Sequence, residues 1–349
     1  MHKIDLKDKR ILTALDEDGR DSLSGIASKV GLSKQVVDYR IRNLLEKGIL
    51  KNFTLTVDLT KLGYSTFGVY LRLRNISEAR EKEIISHLVS HPFTRWVVVC
   101  EGKWDLAFAM SAKNILDFNN RIEEIMAFIG NNLESYETNI IFSIQPFYID
   151  LIGKKEQFAA KPIRNEFATE PADTKLDSLD IRIIQHLEQN ARASLVEIAS
   201  NLKTSPDVVR YRIRNLVARK IIVEFKARIS FKTLGYNWYQ LLIDMNRPPE
   251  TQQKKFIEII RSIPNITYMT RCMGKWDFEL HIHSESNEAY RKILMKVRDE
   301  MAELIVSYDT LIIFEKYKST TFPEGVVDEL LKIAREAEKT QKNLKQAKG

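Results

Sequence analysis

The chain is poor in the residues that staple or interrupt folds. Of 349 residues only Cys100 and Cys272 are cysteines, which excludes a disulfide framework, a CxxC redox pair and a zinc finger. A reducing compartment fits. Thirteen glycines and nine prolines are too few for a fibrous or low-complexity chain. Charged residues break every apolar run well short of the ~18 needed to span a bilayer. The start, MHKIDLKDKR, lacks the apolar segment of a secretory signal. A cytoplasmic protein with no membrane partner is expected. No P-loop, GxGxxG, HExxH or GxSxG string occurs, so no enzyme class is indicated. The six histidines include one close pair, His281 and His283, which would share a strand face; with no third ligand evident, neither a metal nor a cofactor is expected.

What is present is core-forming material, 44% apolar residues, and a net charge of +7, a weak pointer to polyanionic partners. The length suggests two to three domains. The chain is in fact one unit written twice. IDLKDKRILTAL from Ile4 recurs as LDSLDIRIIQHL from Leu176, and a constant shift of 172 residues maps Tyr39 to Tyr211, Gly63 to Gly235, Cys100 to Cys272 and Trp104 to Trp276. This period is far longer than that of a solenoid repeat, so the duplicated object is a whole two-domain subunit. The polar stretch 151–175 between the copies reads as a linker, reaching somewhat under about 30 Å as a flexible coil.

In residues 1–62, Val37, Ile41, Leu44 and Gly48 fall on one narrow helical arc, with Ser33 at the N-cap position. The opposite face carries Gln35, Asp38, Tyr39 and Arg42, with Lys34 at the helix start. A preceding short helix, Gly31 as the turn, and a strand-like run from Ile49 to Val57 complete three helices and a wing. A cationic second helix in such a unit suits a DNA major groove; a packing module with a solvated basic face is the plainer alternative. Residues 176–234 repeat the unit, with VVRYRIRNL from Val208 against VVDYRIRNL from Val36. Arg210 replaces Asp38, Asp207 replaces Gln35, and Tyr211 and Arg214 match Tyr39 and Arg42. Residues 175–234 hold 12 Lys/Arg against 6 Asp/Glu, and residues 1–62 hold 12 against 9, so the second unit should grip phosphates harder. Arg210 can pair with guanine and Asp38 with cytosine N4, which implies non-identical half-sites. Arg40 and Arg212, at the flank of the buried arc, are open to phosphate contact or internal pairing.

Residues 63–150 and 235–322 each read as βαββαβ, a ferredoxin-like split βαβ with both helices on one sheet face. The free face invites the other copy, tethered by the linker, so an intrachain pseudo-dimer is expected, with homo-oligomers beyond it. Residues 323–349 begin as a helix and fade into a Lys/Gln-rich tail. The fold class is therefore α+β: winged helix-turn-helix then ferredoxin-like domain, in tandem.

The opening IDLKDKRILTAL, the segment SKQVVDYRIRNLLEKGIL, the LGY at Leu62–Tyr64, and the turns EGKWD at Glu101–Asp105 and MGKWD at Met273–Asp277 resemble the Lrp/AsnC family of feast/famine transcriptional regulators. Each half resembles a whole subunit. The resemblance implies double-stranded DNA as partner, read by the winged units. It also implies assembly domains that bind an amino acid or related small effector at their interfaces, near Gly102, Trp104, Asp105, Gly274, Trp276 and Asp277. Fusion of two subunits departs from the usual single unit. The chief rival is a fused siroheme decarboxylase-like enzyme of haem synthesis, which shares the two-domain architecture. Such enzymes carry a His- and Arg-containing segment near the second strand, where this chain reads FTRWVVVCEG and ITYMTRCMG without histidine.

Overall fold

The computed structural model describes residues 4–147, 151, 175–246, 249–263 and 265–346; the rest of the expected linker and the last three residues of the tail lie outside the described residues. Helix α1, Leu6–Glu17, opens on a reciprocal capping box between Asp5 and Asp8 and buries Ile11, Leu12 and Leu15. Helix α2, Leu23–Val30, is capped by Ser22, and α3, Lys34–Glu46, by Ser33. Strand β1, Leu50–Val57, is the wing. The second copy repeats this as α6 (Ser178–Gln189), α7 (Leu195–Asn201), α8 (Pro206–Ala218) and β6 (Ile222–Ile229).

The two wings pair with each other, antiparallel, with Thr54 opposite Lys226. These two residues are equivalents under the 172-residue shift, so the pseudo-dyad passes between them. Each wing packs on the other copy's first helix: α1 rests on β6 and α6 on β1. Arg20 donates to the carbonyls of Ala191 and Ala193, and its equivalent Arg192 donates to that of Gly19 at 3.0 Å. The core around α3 thus includes Ala191, Ala227 and Leu234, and the core around α8 includes Leu55, Val57 and Leu59. Neither winged unit closes its core from its own residues alone.

Each assembly domain has the expected order. The first comprises β2 (Ser65–Leu73), α4 (Glu78–Ser90), β3 (Thr94–Glu101), β4 (Leu106–Ala112), α5 (Ile115–Ile129) and β5 (Leu133–Pro146). The second, after a short helix α9 (Phe231–Leu234), comprises β7 (Asn237–Met245), α10 (Glu250–Arg261), β8 (Ile266–Met273), β9 (Phe278–Ser284), α11 (Asn287–Glu300) and β10 (Ile305–Ser319). The sheets run β5-β2-β4-β3 and β10-β7-β9-β8, and their edges join, β5 to β8 and β10 to β3, into a closed eight-stranded barrel. Closure removes all four exposed edges. Ile141 stands opposite Cys272 and Ile313 opposite Cys100, so the thiols are buried, free and apart. The helices cover the outside of the barrel over two separate cores. Tyr70, Trp104, Trp276 and Leu311 fill its inside.

The C-terminal segment is a long helix, α12, Glu324–Gln346. It lies against α6 and buries Val326, Val327 and Leu331 in the core of the second winged unit. Glu329 accepts from Tyr64 Oη at 2.5 Å and forms ion pairs with Lys113 and Arg121, so α12 also ties that unit to the first assembly domain.

Candidate nucleic-acid interface and effector turns

The α3 face is built by a simple division. Val37, Ile41 and Leu44 are buried, while Lys34, Gln35, Tyr39 and Arg42 are exposed and Asp38 is half-buried beside them. Helix α8 buries Val209, Ile213 and Leu216 and exposes Asp207, Arg210, Tyr211 and Arg214. The two tyrosines are 69% and 66% exposed, an unusual degree for a large ring with no packing duty. Arg42 pairs with Asp38 one turn back, and Arg210 pairs with Asp207. Hydrogen bonding to Asp38 raises the Arg42 pKa further. Exposed pairs of this kind are worth little and release their cation readily to a phosphate or base.

Arg40 and Arg212 behave differently. Arg40 reaches Asp5 and Asp8, and Arg212 reaches Asp177 and Asp180, in both cases bracing the reading helix against the first helix of its unit. Of the two uses open to them in the sequence, the structure takes the internal one. Val36 and Val208, both 39% exposed on the same faces, escaped the sequence reading. The signal was there: they lie off the buried arc yet are apolar in both copies.

The Gly-Lys-Trp-Asp turns sit at the barrel end farthest from the winged units. Gly102 and Gly274 have φ of 134° and 154°. A Cβ on Gly102 would lie 2.7 Å from the Thr310 carbonyl oxygen, and one on Gly274 2.8 Å from that of Thr138, so each turn presses on the other copy's last strand. Trp104 and Trp276 point into the barrel, 3% and 2% exposed, and meet edge to face at 6.3 Å. Asp105 accepts from the Leu73 N–H at 2.6 Å and from Arg72 at 2.8 Å, and Asp277 from the Met245 N–H at 2.7 Å. The glycines give close approach, the tryptophans fill the barrel and the carboxylates hold the ends of β2 and β7. Among the described residues no group of three or more His, Cys, Asp or Glu could hold a metal, and no helix is long and apolar enough to cross a membrane.

With this geometry in hand, three family descriptions match the chain: a winged helix-turn-helix DNA-binding domain over residues 4–51, an AsnC-type helix-turn-helix domain over 176–217, and an Lrp/AsnC ligand binding domain over 240–322. The HTH-type transcriptional regulator FL11 of Pyrococcus horikoshii is 30% identical over 138 residues, covering 40% of this chain and 89% of that protein. The chain belongs to the Lrp/AsnC family. The HTH-type transcriptional regulator LrpC of Bacillus subtilis is also 30% identical, over 35% of this chain and 83% of LrpC. The siroheme decarboxylase NirDL superposes with a TM-score of 0.61 over 94% of this chain and 99% of that one, at 13% identity, and so shares the fold of the fused pair. As an Lrp/AsnC member with two winged units, the protein is a DNA-binding transcriptional regulator whose effector is not fixed by family membership.

Proposed function

We propose that this regulator binds one duplex site composed of two non-identical halves, α3 reading one and α8 the other. The observation that carries this is the pair of equivalent, solvent-facing surfaces. Tyr39, Arg42, Tyr211 and Arg214 would touch phosphate or base edges, and Val36 and Val208 are placed to meet thymine methyl groups. Asp38 in one copy and Arg210 in the other would set the asymmetry. Binding-site selection with the purified protein at stated salt tests the reading. The expected product is an imperfect inverted repeat, and a perfectly palindromic consensus would overturn it. Arg42→Ala or Arg214→Ala should reduce the salt slope of log K by about one unit if the contact is to phosphate.

The effector half of the proposal is that a small molecule, an amino acid or a relative of one, acts at the Gly102 and Gly274 turns. Because each turn abuts the other copy's last strand, a ligand there would shift one assembly domain against the other. Trp104, Asp105, Trp276 and Asp277 would act by shaping the turns. Asp105→Asn together with Asp277→Asn should abolish an amino-acid-dependent change in DNA affinity, and an unaltered response would remove these residues from the site. Association of chains is the third part: Phe142 and its equivalent Phe314 are 38% and 53% exposed on the barrel's outer face, and a homo-oligomer would cover them. Light scattering of Phe142→Ser, Phe314→Ser against the wild type reads this directly.

A further inference from the structure

The barrel end beneath the winged units differs from the end that carries the turns. Along β2 and β4 the helix-side positions Phe67, Val69, Phe108 and Met110 belong to the outer core, so Gly68, Ala109 and Ser111 face inward. By the same alternation Trp238 and Gln240 on β7, and His281 and His283 on β9, face inward from the other half. One wall is small and the opposite wall is aromatic and nitrogen-bearing. Trp96 crosses the barrel to Trp238, centroids 6.3 Å apart, and to His281 at 6.0 Å; Tyr268 lies 6.1 Å from His281.

Three observations mark this space as a site. Ser111 and Gln240 are fully buried, yet Ser111 Oγ and Gln240 Oε1 have no hydrogen-bond partner among the described residues; His283 Nδ1 is likewise unpartnered. Such groups are rare in a finished core. Lys316 stands over the Trp238 ring at 5.8 Å and makes no ion pair among the described residues. Finally, desolvation pushes His281 down to about 4, His283 to about 3 and Lys316 to about 8, although all three keep accessible surface.

We propose that this end of the barrel is a binding site for an anionic ligand with a flat aromatic body, with Trp96, Trp238 and Tyr268 as its walls and Lys316, Ser111 and His283 supplying charge and hydrogen bonds. An anion would offset Lys316, which has no ion pair among the described residues, and a flat ring matches walls that are themselves ring faces and edges. The site lies at the opposite end of the barrel from the effector turns and is separate from them.

The test uses full-length protein without DNA, so its result is independent of the DNA reading. The probe is 8-anilinonaphthalene-1-sulfonate, with uncharged N-phenyl-1-naphthylamine as its partner. The expected result is saturable fluorescence enhancement at one sulfonate per chain. Lys316→Met should weaken sulfonate binding about tenfold, as expected for one charge-assisted contact, while the uncharged probe changes less than about twofold. Ala109→Trp should exclude both, with circular dichroism verifying that it folds; Ser111→Leu serves if it does not. Absence of one-to-one saturation, or a Lys316→Met protein that binds the sulfonate as the wild type does, would overturn the proposal.

Discussion

At the DNA end of the barrel the first half presents Thr66, Gly68, Ala109 and Ser111, and the second presents Trp238, Gln240, His281 and His283 at the equivalent places. At the other end the halves agree, with Gly102, Trp104 and Asp105 against Gly274, Trp276 and Asp277 in the same contacts. Where backbone geometry closes the barrel, both copies keep the same side chains. Where a side chain lines the barrel at the DNA end, and at Asp38 against Arg210 on the reading helices, they have diverged. A pseudo-dyad therefore constrains the strands and turns that meet across it and leaves the rest of each copy free to specialise. Four experiments sharpen or break that division.

The largest difference between the halves is α12, which the second winged unit uses and for which the first has no counterpart among the described residues. Truncation after Phe322 removes Val326, Val327 and Leu331 from the core around α8. At roughly 1.5–3 kcal/mol for each fully buried aliphatic side chain, the loss is about 5 kcal/mol. Hydrogen exchange should show α8 amides deprotected with α3 amides much less affected. Equal loss in both would mean that the paired wings couple the units so tightly that they unfold as one.

Acid stability should expose the second largest difference. His281 and His283 titrate below their ordinary value in the folded protein, held neutral by burial. The unfolded chain therefore binds protons more readily, and the stability these groups contribute is complete above about 6.5 and lost as pH falls toward about 4 and below. His91 in the first half, also pushed down to about 4 by desolvation, adds the same sign. His281→Gln with His283→Gln should reduce the acid-side loss by on the order of 3 kcal/mol, read from denaturant midpoints between pH 7 and 4. An unchanged slope would place the titration elsewhere.

Third comes the reading face. Asp38→Arg makes α3 match α8 at the one position where VVDYRIRNL and VVRYRIRNL differ, and it frees Arg42 from its ion pair. Selected sites should become more symmetric, with a shift of about 1–3 kcal/mol in base preference at the affected position and a steeper salt slope. A consensus that stays asymmetric would assign the asymmetry to Asp207 and Gln35 instead.

These differences were unevenly legible in the sequence. The reading helices were plain because a 3.6-residue apolar arc and an N-cap serine need no tertiary context. The βαββαβ order was equally plain. Barrel closure was not, since it depends on β5 and β10 running on to Pro146 and Ser319, beyond the alternating core of each strand. The exchange of wings was hidden because Phe53 and Leu55 look equally apolar whichever copy's helix covers them. The docking of α12 was hidden for a related reason: an amphipathic face shows that a helix packs but does not name its partner. The aromatic and histidine wall occupies inward strand positions that fail to repeat at 172 residues, and that failure is its signal in the sequence.

The smallest effect concerns backbone. Gly31 and Gly48 take left-handed φ of 68° and 64° at the ends of α2 and after α3, where glycine has no steric penalty. Their equivalents are Lys203 and Lys220, at 53° and 56°. A non-glycine residue there costs roughly 1–2 kcal/mol, offset in part because glycine loses more chain entropy on folding. Lys203→Gly and Lys220→Gly should therefore each stabilise the second winged unit by about 0.5–1 kcal/mol, seen as a higher melting temperature. Both side chains are exposed and cationic in the half whose basic excess is larger. If the lysines persist because they meet phosphate, the same variants will bind DNA more weakly and with a salt slope shallower by up to about one unit each. A protein that gains stability without losing affinity would show that the second copy's strained turns serve no DNA contact, and that its extra charge acts through the reading helix alone.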